Sequence, residues 1–140
     1  MKSKLDKILY WFELAVYDME TARAMLKTRR YLYVGFMCHQ VIEKSLKAYY
    51  WYQKGTEPPF SHNLLLLAEK SGIDPVMTDE QRNLLYILMP FEIQPLSTIP
   101  PPKQIVNNGN FRRFILHLSL DKLLKRSVYV PFILLSAPPY

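Results

Sequence analysis

A chain of 140 residues holds one domain with a core of its own, and 49% hydrophobic with 21% charged residues is a globular composition. Four glycines against eleven prolines and nineteen aromatics argue against a turn-rich all-β chain and Gly-rich phosphate loops; one cysteine, Cys38, excludes an internal disulfide and a cysteine-based zinc site. The net charge of +6 is unevenly spread: residues 1–94 carry twelve Lys/Arg and eleven Asp/Glu, residues 95–140 six and one, so the body lacks the clustered basic surface that non-specific phosphate binding needs.

In chain order, the first segment runs from Ser3 to about Lys27. Leu5, Ile8, Leu9, Phe12, Ala15, Val16, Met19, Ala22 and Leu26 repeat at the spacing of one helical stripe, with Lys4, Lys7, Asp18 and Lys27 largely off it. Ser3 is placed to cap this helix, and Lys27, Arg29 and Arg30 suit its C-terminus. A second helix is expected from Tyr31 or Leu32 to Gln53, with a stripe of Val34, Cys38, Val41, Ile42, Ser45, Leu46 and Tyr49. Gln40, Glu43, Lys44, Lys47 and Lys54 lie mainly off that stripe. Gly55 suits a left-handed helix end, and Pro58-Pro59 forbids continuation. A third helix is expected over His62–Lys70 with Ser61 as cap and Gly72 as stop. Thr78 and Gln81 form a capping-box pattern opening a fourth helix through Leu88, which Pro90 should kink or end.

After Gln94 the pattern changes. Seven of the eleven prolines fall in residues 95–140, and the expectation there is an irregular Pro-rich segment with at most one helix near 111–126. The division is therefore a helical bundle over 1–94 and a divergent segment over 95–140. No apolar run approaches the roughly 20 residues of a membrane span, and acids near the start argue against a signal peptide. The lone cysteine fits a reducing cytoplasm.

The run over residues 34–73 resembles the HEPN family (higher eukaryote and prokaryote nucleotide-binding domain). An aromatic is followed on one helix by Gln–x–x–Glu–Lys–x–x–Lys–Ala, here Phe36, Gln40, Glu43, Lys44, Lys47 and Ala48. A loop with Gly55 and Pro58 then leads to His62, Asn63 and Leu64, while Trp11, Ala15, Asp18 and Ala22 match the family's first helix. The resemblance covers roughly residues 5–93. It implies an all-α, up-and-down bundle of four to five helices, usually dimeric. It also implies a nucleotide-associated or partner-binding module acting with a minimal nucleotidyltransferase, in a toxin–antitoxin-like pair. Members usually continue with an Arg-Tyr-Pro loop and a long amphipathic helix; the departure near residue 95 is what a shift of reading frame would leave.

Two readings fit the charged positions of the second helix. Lys44 and Lys47, one turn apart, can reach one phosphate, with Gln40, Glu43 and His62 completing a nucleotide- or partner-binding surface. Alternatively, Glu43, Lys44 and Lys47 form a solvated ion-pair face; on either reading, replacing the lysines should leave fold stability almost unchanged. His62 either caps its helix or serves that surface, and His39 belongs to the core or an interface. Cys38 is expected to be a buried thiol. Trp11 and Tyr49 to Tyr52 suit a core and dimer interface better than base stacking. No histidine has a partner at metal-ligand spacing, so neither a metal nor another cofactor is expected.

Arg112 and His117 formally satisfy the Arg-x4-His signature of the family's metal-independent ribonucleases. An alternative function is therefore an RNA-cleaving toxin, in which His117 moves a proton at the 2′-hydroxyl and Arg112 steadies phosphate charge. A third alternative is a degenerate, non-functional bundle. The non-catalytic reading is preferred because the pair lies in the divergent segment.

Overall fold

The computed structural model describes residues 2–91, and these form an all-α arrangement with no strand among them. Helix α1 spans Lys4–Lys27, α2 Tyr31–Lys54, α3 Leu64–Ser71 and α4 Asp79–Leu88, with 3-10 turns at Asp74–Val76 and Met89–Phe91. The expectations for residues 95–140, including a helix near 111–126, lie outside the described residues.

Helix α1 begins where Ser3 and Asp6 cap one another. Asp6 N–H donates to Ser3 Oγ at 3.1 Å, and Ser3 N–H donates back to Asp6 Oδ2 at 2.9 Å. Those bonds, the backbone one first, hold the Asp6 carboxyl below its ordinary value. The helix ends in a paired-bond motif: Arg30 N–H donates to Met25 O and Arg29 N–H to Leu26 O. Arg29 takes the left-handed conformation there, with φ of 60°. The tight turn that results makes α1 and α2 antiparallel neighbours.

Helix α2 is the hub, with α1 on one side and α3 and α4 packed against it elsewhere. Its apolar stripe behaves as the spacing predicts: Val34, Cys38, Val41, Ile42, Leu46 and Tyr49 join Met19, Ala22, Leu64, Leu67, Leu84, Leu85 and Leu88 in one core. Gly55, at φ 67°, closes α2 as expected. Within α2, Gly35 lets the Phe91 ring approach so closely that a Cβ would stand 2.6 Å from it.

Two features differ from the sequence reading. Leu5 and Leu9 belong to the α1 stripe yet are 61% and 39% exposed. Helix α2 covers the line through Ile8, Ala15, Asp18, Met19 and Ala22, leaving those leucines on the flank. Helix α3 starts two residues later than expected. Its cap is Asn63, whose side chain accepts from Leu66 N–H, while Ser61 Oγ accepts from Asn63 N–H in the preceding turn. His62 therefore precedes the helix and does not cap it.

Candidate functional site

The seam between α1 and α2 has a register set by two stacked pairs. Lys7 Nζ lies 5.5 Å from the Trp51 ring centre and Lys47 Nζ lies 5.1 Å from that of Trp11. Stepping four residues up one helix matches four residues down the other, as antiparallel packing requires. The same seam carries Asp18 to Lys44, whose ammonium donates to Asp18 Oδ2. On residue type alone Asp18 reads as a surface acid; it is buried, because α2 presents Lys44 to it.

Glu43 is the centre of the charged row. Lys47 Nζ donates to its Oε1 at 2.8 Å, and His62 Nδ1 meets the same oxygen at 3.0 Å. Its Oε2 lies 3.7 Å from His39 Nδ1. Against a carboxylate an imidazole presents N–H, so His62 donates through Nδ1. Among the described residues Gln40 Nε2 and Glu43 Oε2 are buried without a hydrogen-bond partner.

The solvated-face reading of Glu43, Lys44 and Lys47 is corrected by these positions. Gln40, Glu43 and Lys47 are 8%, 4% and 6% exposed, and Lys44 is half-buried beside Asp18. Position along α2 failed as a guide because this helix is covered on most of its circumference; α1 lies over the row that a single-stripe helix would turn to water. The two ammonium groups are also committed to different carboxylates. His39 is fully buried, as a core histidine should be. Cys38 is buried, and desolvation pushes its thiol up to about 12. Tyr49 and Trp51 are buried, while Tyr50 and Tyr52 are half-buried.

The loop between α2 and α3 forms the open side of the site. Lys7 Nζ donates to Glu57 Oε1 at 3.1 Å, tying the loop to α1, and His62 ties it to α2. Phe60, between those ties, is wholly exposed and meets the His62 ring edge-on at 6.2 Å. Asp18 shows in the sequence only as a match to the family's first helix, and Glu57 and Phe60 do not stand out at all. Only the helix register reveals what Asp18 pairs with, and only the loop path brings the other two to the site.

Among the described residues no three of His, Cys, Asp or Glu are grouped as metal ligands, and no helix is long and apolar enough to cross a membrane. Arg112 and His117 lie outside the described residues. The fold is thus an all-helical domain whose central helix carries a buried row of charges. Residues 8–94 match the HEPN domain family, and the chain belongs to it. Domains of this family are nucleotide-associated or ribonuclease-type modules. No curated protein and no solved structure matches the chain.

Proposed function

We propose that this protein is a non-catalytic, nucleotide-associated or partner-binding module that acts as a homodimer with a minimal nucleotidyltransferase, in a toxin–antitoxin-like pair. Its binding groups are Gln40, Glu43, Lys44, Lys47 and His62, of which Lys44 and His62 are partly exposed and the other three lie buried behind them. The observation that carries the reading is the concentration of these groups on one row. A buried ion pair is weak support for stability, since apolar residues of similar volume often serve as well. A row of two acids and two lysines beside a half-exposed histidine therefore calls for a use beyond packing. The lone buried thiol Cys38 supports a reducing cytoplasm as the setting.

Because the lysines are paired, a ligand anion reaches them by sharing or exchanging carboxylate contacts. Binding is then electrostatic and weakens as salt shortens the Debye length from about 10 Å at 0.1 M. The test is calorimetric titration of ATP and of a minimal nucleotidyltransferase into wild type and the paired variant Glu43→Gln/Lys47→Met. That pair removes both charges together and so leaves no orphan. A folded variant that loses at least about tenfold in affinity for either ligand supports the reading; undiminished affinity for both overturns it.

A further inference from the structure

We propose that Phe60 and His62 form the edge at which a single nucleotide docks, the Phe60 ring stacking on the base and His62, as an imidazolium, taking a phosphate. The inference rests on the nucleotide association proposed above and adds its contacts and its control by pH.

Phe60 carries the first half. Exposure alone is ordinary for a surface side chain; what sets Phe60 apart is a fully exposed ring that meets an imidazole edge-on in a loop tied at both sides. Pro58 and Pro59 fix two backbone angles immediately before it. Ser61 N–H donates to Pro59 O at 2.9 Å, closing a tight turn around it. Lys7–Glu57 on one side and His62–Glu43 on the other tie the loop down. An exposed ring on a preorganised loop is a stacking platform, and stacking accepts any base because every base has a π-face.

His62 carries the second half. Its ring meets that of Phe60 at 6.2 Å, so one nucleotide spans both. The groups facing it on α2 are Glu43 and Lys47, with His39 on the far oxygen of Glu43; on its own loop Glu57 is paired with Lys7, and on α1 Asp18 is paired with Lys44. Lys47 offsets Glu43, and Lys44 offsets Asp18. Protonating His62 therefore adds a positive charge to a row that is otherwise balanced, and its Nε2–H is a donor in addition to the Nδ1–H given to Glu43. At 36% side-chain exposure, the ring is accessible to a ligand. Affinity for a phosphate should be higher where the imidazole is protonated.

The experiment titrates the full chain with ATP, inorganic triphosphate and adenosine, at a mildly acidic and a mildly alkaline pH. The variants are Phe60→Ala, which removes an exposed side chain, and His62→Gln, which keeps a donor toward Glu43 but cannot ionise. In wild type, ATP and triphosphate should bind several-fold more tightly at the lower pH, and adenosine equally at both. Phe60→Ala should weaken ATP and adenosine about tenfold and leave triphosphate unchanged. His62→Gln should abolish the tighter binding at the lower pH, leaving only the loss that the ligand's own phosphate protonation causes, and leave adenosine unchanged. ATP affinity unchanged in Phe60→Ala, or tighter binding at the lower pH persisting in His62→Gln, overturns the inference. If ATP binding then still depends on the Glu43–Lys47 pair, the broader reading stands and only the edge fails. If wild type binds no ATP yet binds a nucleotidyltransferase, the edge is overturned and the partner arm survives.

Discussion

The two halves of the α1–α2 seam are built from different chemistry. Toward the α1–α2 turn, Met19 and Ala22 join Val34, Cys38 and Val41 in a core of small and medium apolar groups. Toward the other end, Trp11 and Asp18 face Lys47 and Lys44, and Glu43 collects Lys47 and His62. The apolar half is non-directional and tolerates slippage in principle. The polar half is not, because each ammonium has one carboxylate at hydrogen-bond distance and each stacked lysine one ring. Core formation thus belongs to one half, and directional contacts that fix the helix register to the other.

The largest expected effects come from cutting into each half alone. Met19→Ala, at a buried position of the apolar half, should cost about 2–5 kcal/mol in chemical denaturation. Glu43→Ala should cost about 3–5 kcal/mol, because Lys47 is left buried without its carboxylate. A loss below about 1 kcal/mol for Glu43→Ala would return the row to a solvated face.

Gly35→Ala comes next. The new methyl meets a rigid ring, and overpacking costs about 1–3 kcal/mol against about 1 kcal/mol gained in helix propensity. A net loss of up to about 2 kcal/mol is expected, and Phe91→Leu, with a slimmer side chain, should relieve part of it. Equal melting temperatures for wild type and Gly35→Ala would show that the ring yields freely.

Cys38 gives a pH signature for the apolar half. Its folded value is raised to about 12 from 9.0, so the unfolded thiol ionises first. The stability is complete below pH 9 and is lost as pH rises from there toward 12, by up to about 1.4 kcal/mol per unit. Lysines and tyrosines titrate in the same range, so the readout is the slope difference between wild type and Cys38→Ala. Matching slopes would mean that the thiol is accessible to water, as would rapid native-state labelling by a thiol reagent.

The smallest effect is a gain. Arg29 occupies a left-handed position with φ of 60°, where a side chain costs roughly 1 kcal/mol. Arg29→Gly should raise stability by up to about that amount in denaturant titration, without altering either half of the seam.

Local signals in the sequence carried the helices well. Ser3, Gly55, Gly72 and the Thr78/Gln81 box mark ends through bonds within a few residues, so their chemistry shows along the chain. The cap at Asn63 was missed because Ser61 offers an equally suitable capping oxygen two residues earlier, and only the loop path decides between them. At the site, the row from Gln40 to Lys47 was visible as a motif, but its burial was not. Periodicity reports one apolar stripe per helix, whereas α2 is covered by α1 as well as by the core. The Asp18–Lys44 pair, 26 residues apart, depends on helix register and has no local signal.

A double-mutant cycle on Glu43 and Lys47 tests most directly whether the charged row is built into the interior as one coupled unit. Stabilities of wild type, Glu43→Gln, Lys47→Met and the double variant are compared by denaturant unfolding. The account predicts that the double variant is more stable than the two single losses added together would make it, by at least about 1 kcal/mol, since each single change strands a buried group. Single losses of a few tenths of a kcal/mol that simply add would contradict it.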